Sequence, residues 1–233
     1  MEKSKEEIDN LTQEQVWDEI AVWWNKYKLK PFGRGTVWKP FQKVYFGTKD
    51  SIVEDFISKD DKRVLDLGCG SGRNFFKFSW FKGIIYGVDF SSEMLKFAEQ
   101  NAKQNNINVK LKKSNTWDLG FEDNFFDKII CIAVLHCIEN KEKRDKTIKE
   151  MYRVLKPEGK IIITAWNKKA KRWRNKAKET KVSWNLQEVG KKVYRHYYLY
   201  DQEELIKDLE KVGFNIVNKN REDARNIVLI CEK

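Results

Sequence analysis

The stretch VLDLGCGSGRN, Val64–Asn74, constrains this chain more than any other. An apolar run that reads as a buried strand passes into a turn with glycine at Gly68, Gly70 and Gly72. Glycine is needed where a backbone bends tightly and where a ligand must approach it closely. A dinucleotide-binding loop carries the spacing GxGxxG, whose third glycine lets the following helix pack close to the strand. Here the glycines alternate and position 73 is arginine. Asp66 stands just ahead of the first glycine.

The chain around this loop alternates between strand and helix patterns. RVLDLG, IIYGVD, NVKLKKS, FDKIICIAV and KIIITAW read as five strands. SSEMLKFAEQNAKQNN reads as a helix with a serine N-cap and Met94, Leu95, Ala98 and Ala102 on one face. Asp145–Leu155 reads as a second helix, with Ile148, Met151, Tyr152 and Leu155 inward and Pro157–Gly159 turning the chain. Asp201 and Glu204 open a third by a capping box, and Gly213 closes it. FNIVNK and NIVLICEK read as a terminal antiparallel pair. Ahead of this block, Thr12–Tyr27 has a capping box and helical spacing, a loop rich in Gly, Pro and aromatics follows, and Ser51–Ile57 reads as a short helix. Repeated βα units imply a parallel sheet with helices on both faces, binding ligands at the carboxyl edge of its strands.

Composition narrows the class. With 41% hydrophobic and 35% charged residues, and with 14 Phe and 9 Trp, the chain reads as a soluble globular protein. It contains no apolar run of about 18 residues, so no membrane-crossing helix is expected. The start, MEKSKEEIDN, lacks the apolar stretch of a secretory signal. The four scattered cysteines form no CxxC pair and read as reduced thiols of a cytoplasmic protein, with no metal site. A net charge of +11 suggests a polyanionic partner, with a lysine-rich background as the plain alternative.

The Asp66–Gly72 loop, of form D-x-G-x-G-x-G, resembles motif I of the class I S-adenosylmethionine-dependent methyltransferases, and the resemblance runs from Arg63 to Val154. It implies an α/β Rossmann-like fold. The sheet would be mostly parallel and seven-stranded, with helices on both faces and an antiparallel C-terminal strand. It implies S-adenosylmethionine as cofactor and S-adenosylhomocysteine as product. The binding set would be Asp66, Gly68, Cys69, Gly70, Gly72, Asp89, Phe90, Asn115, Thr116, Trp117 and Ala133. Asp89, at the end of the second strand, would accept the ribose hydroxyls. Asn115 stands where the family usually has an adenine-binding Asp, and Trp117 would cover the adenine face.

Segments outside this core resemble one subfamily, the tRNA methyltransferases that esterify the carboxymethyl group of a wobble uridine. VWDEIAVWW with KPF, IAVLH, TAW, VYRHYYLY and ARNIVLICEK carry the likeness. Cys137, the Arg–His order at Arg195–His196, Ile227 and a longer N-terminal loop depart from the subfamily pattern. The resemblance implies a tRNA substrate and a small zinc-binding activator subunit as a separate polypeptide.

The chemistry is compatible with that. A carboxylate is already ionised at pH 7 and needs no general base, but it does need a cation to orient it. Arg195 is the candidate, with His136 and Tyr197 as further catalytic candidates; a solvated charge and a structural histidine are the plain alternatives. Of the tyrosines between 194 and 200, at least two are expected to pack inward, because alternate residues of an extended segment face opposite sides. Lys168, Lys169, Lys171, Arg172, Arg174, Lys176, Lys178 and Lys181 would contact RNA phosphates, and Trp173 would stack on an unpaired base; a mobile solvated loop is the alternative. The expected organisation is an N-terminal cap over the active site, 1–60, and a methyltransferase domain, 61–233, with a basic insertion at 167–193. Two other functions stay open: methylation of a small molecule or protein side chain, and a non-catalytic RNA-binding subunit.

Overall fold

The computed structural model describes residues 11–28, 55–186 and 190–233. The strands are β1 (Arg63–Leu67), β2 (Ile84–Asp89), β3 (Val109–Lys113), β4 (Phe126–Ile132), β5 (Leu155–Trp166), β6 (Glu179–Leu186), β7 (Lys191–Tyr198), β8 (Asn215–Lys219) and β9 (Asn226–Glu232). The helices are α1 (Gln13–Lys28), α2 (Ser92–Gln104), α3 (Lys141–Val154) and α4 (Gln202–Glu210). Among the described residues, seven strands form one sheet in the order β3-β2-β1-β4-β5-β9-β8. The first five pair in parallel, whereas β9 runs antiparallel to both β5 and β8. No described helix is long and apolar enough to cross a membrane.

Near-continuous apolar runs suit strands that are covered on both faces. Leu65 and Leu67 of β1 face α3 and α4, joining Met151 and Leu209. Val64, pointing the other way, joins Phe75, Phe78 and Ala98 of the α2 side. Ser91 caps α2 by accepting from the Met94 N–H, and Met94, Ala98 and Ala102 are its buried stripe. Leu95, expected on that stripe, is only half-buried.

The structure shifts some expected boundaries. α3 begins at Lys141 rather than Asp145, because the Asn140 side chain accepts from the N–H groups of Glu142 and Lys143. The Pro157–Gly159 turn becomes a bulge within β5, where Glu158 takes φ +62° and the register with β4 slips. The expected Ser51–Ile57 helix and the preceding aromatic loop lie mostly outside the described residues; Asp55 and Phe56 form a turn. The larger correction falls on the basic stretch Asn167–Trp184. Its first half is a run of turns and its second half is β6, paired antiparallel with β7 as a separate two-stranded sheet. Val16 and Ile20 of α1 pack with Leu186 of β6 and Val193 of β7.

Candidate active site

β1 delivers Asp66 and the glycine turn to the carboxyl edge of the sheet. Gly68, Gly70 and Gly72 all have positive φ, at +66°, +54° and +79°. The loop is pinned to β2, since the Cys69 N–H donates to the Val88 carbonyl at 2.9 Å. Asp89, the last residue of β2, accepts the Gly70 N–H at 2.8 Å and the Ser91 N–H at 2.9 Å. Asn74 donates to both oxygens of Asp66, at 3.2 and 3.3 Å. Burial pushes the Asp66 carboxyl up to about 7 and the Asp89 carboxyl up to about 6, against the lowering pull of these hydrogen bonds. Ala133, at the turn after β4, takes φ +61° and places Val134 against Gly68, where an added Cβ would come within 2.5 Å of a Val134 methyl.

Helix α1 packs against this wall. Asp18 accepts from the Ser91 hydroxyl at 2.5 Å and from the Glu93 N–H at 3.2 Å, at the start of α2. Asn101 of α2 bridges Asn25 of α1 and the carbonyl of Ser71 in the glycine loop. The sequence reading missed Asp18, because a half-buried acid on an amphipathic helix carries no local mark of its partner.

Beyond Val134, which packs against Gly68, the chain enters an aromatic cluster. His136 lies in the short 3₁₀ turn Leu135–Cys137 beyond β4 and is 1% exposed. Its Nδ1 accepts the Trp166 N–H at 3.3 Å, and its ring stacks on Trp166. Burial, and then the Arg195 charge, pushes its pKa down to about 3, so it is neutral at physiological pH. Tyr197 stacks on the same Trp166 at 4.1 Å between centroids. Alternation along β7 turns Val193, Arg195 and Tyr197 inward and leaves Tyr194 exposed. Of the tyrosines between 194 and 200, Tyr197 and Tyr200 are buried outright.

Arg195 is 6% exposed. Its guanidinium lies 4.8 Å from the Trp184 ring, 5.2 Å from Tyr197 and 5.6 Å from Trp17. Its Nε has no hydrogen-bond partner among the described residues. It is therefore not the solvated charge of the plain alternative. Burial pushes the Cys137 thiol up to about 12, with the Arg195 charge lowering it and the Asp89 charge raising it.

Other expected site residues are placed differently. Asn115 is exposed, and Phe90 is half-buried beside Asp89. Thr116 bonds to the Thr147 hydroxyl of α3 at 2.9 Å, and Trp117 lies under the Lys143 ammonium at 4.6 Å. Both side chains thus contact α3 while staying half-buried. Trp173, expected to meet an RNA base, is 6% exposed and stacks on Trp166 at 4.6 Å, with the Arg172 guanidinium over its ring at 4.4 Å. Lys169 pairs with Glu222, and Lys168 donates to the Arg174 carbonyl at 2.7 Å, so each has a partner within the protein. Lys171, Arg174 and Lys176 remain exposed.

The residues fit the cofactor that the glycine motif implies. A Cβ on Gly70 would meet only the Met94 sulfur at 3.9 Å, leaving open space for a ligand to lie against the backbone. Ser71 Oγ and Asn74 Oδ1 are buried without a partner among the described residues. Two buried carboxylates suit a cationic ligand that also carries a diol.

A parallel sheet with this loop and acid pair at its carboxyl edge defines a class I S-adenosylmethionine-dependent methyltransferase. The profile of the methyltransferase-domain family matches residues 58–212, and the chain belongs to that family. A methyltransferase, so named by inference, of Encephalitozoon cuniculi is 29% identical over 81% of this chain and 86% of its own length. The ubiquinone/menaquinone biosynthesis C-methyltransferase UbiE of Vibrio cholerae is 33% identical over 48% of this chain, which spans only 44% of that protein. A S-adenosylmethionine-dependent methyltransferase structure from Methanosarcina mazei superposes with a TM-score of 0.66 at 24% identity, covering 78% of this chain and 96% of that one. One from Clostridium acetobutylicum gives 0.67 at 18% identity, covering 93% and 98%. Likeness at these identities shows the fold.

Proposed function

We propose that this enzyme methylates a carboxylate on tRNA, converting a 5-carboxymethyl-type wobble uridine to its methyl ester. The observation that carries the reading is Arg195, a buried cation whose Nε has no partner among the described residues, beside a histidine held neutral. When bound, S-adenosylmethionine supplies an electrophilic methyl group and leaves as S-adenosylhomocysteine. Gly68–Gly72, Asp66 and Asp89 would hold it. An ionised carboxylate attacks without losing a proton, so the protein's task is alignment. A guanidinium does this with two parallel N–H donors. The rings of Trp17, Trp184 and Tyr197 exclude water around it and strengthen its field. An amine or hydroxyl acceptor would call for a general base, whereas the Nδ1 of His136 is already occupied by the Trp166 N–H and its ring is buried. The exposed Lys171, Arg174 and Lys176 suit tRNA phosphates. The small zinc-binding activator belongs to this reading as a second polypeptide.

The test is methyl-label transfer from S-adenosylmethionine to tRNA bearing carboxymethyluridine, with the activator present. The label should be ribonuclease-sensitive and released by mild alkali, as an ester is. Alkali-stable label would overturn the carboxylate acceptor. Arg195→Ala should lower turnover roughly tenfold to 150-fold, the loss of a charged hydrogen-bonded pair worth about 1.5–3 kcal/mol. It should leave cofactor affinity within about twofold; equal loss of cofactor binding would make Arg195 part of the cofactor site instead.

A further inference from the structure

β7 pairs with β6 along one edge, where Val182 stands opposite Arg195. Its other edge is met by a side chain. The carboxamide of Gln13, the first residue of α1, spans the two residues that flank Arg195. Its Oε1 accepts the His196 N–H at 2.9 Å, and its Nε2 donates to the Tyr194 carbonyl at 3.3 Å. One residue of a neighbouring parallel strand would make the same two bonds, so the glutamine supplies a single rung of ladder at the position of Arg195.

Gln13 is itself held. Thr12 and Gln15 form the reciprocal cap of α1, with the Thr12 N–H donating to Gln15 at 2.9 Å and the Gln15 N–H to Thr12 at 3.3 Å. Glu14 pairs with Lys113 at the end of β3 at 2.8 Å, and Asp18 is bonded to the start of α2 beside Asp89. The helix that fixes Gln13 is thus anchored on the cofactor wall, while Gln13 reaches β7.

We infer that Gln13 is a positioning residue for Arg195, setting the tilt of β7 so that the guanidinium meets the acceptor carboxylate in line with the methyl donor. The inference rests on the reading of Arg195 as the carboxylate-binding cation. A glutamine that only stabilised the fold would act equally on every ligand and in every background. One that acts through Arg195 affects only the recognition of a carboxylate, and only when Arg195 is present.

The experiment compares affinity for two tRNAs that differ only at the wobble base, one carrying 5-carboxymethyluridine and the other its methyl ester, with S-adenosylhomocysteine present. The parent protein should favour the carboxylate at least tenfold, and Arg195→Ala should bring the ratio near one. Gln13→Met keeps length and helix propensity and removes both bonds; Gln13→Ala is the second variant should one fold poorly. Either should cut the ratio at least threefold and change nothing further in the Arg195→Ala background. A parent-like ratio, an equal loss on both tRNAs, or an added loss in the Arg195→Ala background overturns the role of Gln13 alone. No preference in the parent protein would instead overturn the reading of Arg195, and the inference with it.

Discussion

Gly70→Ala separates a glycine kept for a ligand from a glycine kept for the fold. Gly70 sits at φ +54°, so any side chain there costs about 1–2 kcal/mol of backbone strain. The added Cβ meets nothing closer than the Met94 sulfur at 3.9 Å, so the protein itself contributes no clash. For a domain of this size the strain should lower Tm by about 2–8 °C, taking about 2–4 °C per kcal/mol. The methyl instead fills the space where the cofactor would lie against the loop. Overpacking of that kind costs about 1–3 kcal/mol, which weakens S-adenosylmethionine binding by roughly fivefold to 150-fold. Gly72→Ala is the contrast. Its Cβ would come within 2.6 Å of the Phe75 ring, inside the core, so it should cost more stability than Gly70→Ala. Calorimetric titration and thermal melts of both variants measure the two effects. A Gly70→Ala protein that binds the cofactor within twofold of the parent would refute the assignment of this loop as the cofactor cradle.

Asp66→Asn carries a pH signature. Burial raises Asp66 to about 7, so the folded chain keeps a proton that the unfolded chain sheds near its ordinary carboxylate value. That contribution is complete in acid and is lost as pH rises through about 7. The variant should therefore gain stability relative to the parent between about pH 4 and pH 8, read as urea midpoints; parallel midpoints would contradict the burial. Trp173→Ala should destabilise by about 3–5 kcal/mol, as loss of a buried tryptophan does, whereas replacing Lys171, Arg174 and Lys176 together should leave the melt nearly unchanged and flatten the salt dependence of tRNA binding. The reverse pattern would return Trp173 to the RNA surface.

The βα core was legible because each unit carries its own period and its own caps. Ser91 and the Asp201–Glu204 box mark helix starts, and the apolar runs of β1 and β4 mark strands covered on both faces. β6 does not read as a strand from sequence: Thr180, Val182, Trp184 and Leu186 alternate at period two, but the charges interleaved with them give the stretch the composition of a solvated loop. What local pattern cannot carry is partnership across the chain. Trp173 reads as a base-stacking residue in a basic run until Trp166 and Leu199 are brought beneath it. Thr116 and Trp117 follow the strand that should lead to adenine, yet α3 offers them Thr147 and Lys143. Gln13 and Asp18 belong to one amphipathic helix, and their targets lie 183 and 73 residues away.

If Arg195 directs methyl transfer to a tRNA carboxylate, the tRNA nucleosides themselves carry the record, and mass spectrometry reads it. The comparison is between cells with the intact gene, cells without it, and cells carrying only Arg195→Ala. Loss of the gene should remove methyl-esterified wobble uridines and accumulate their carboxymethyl precursors, and Arg195→Ala should reproduce that profile. A nucleoside profile identical in all three would contradict the account.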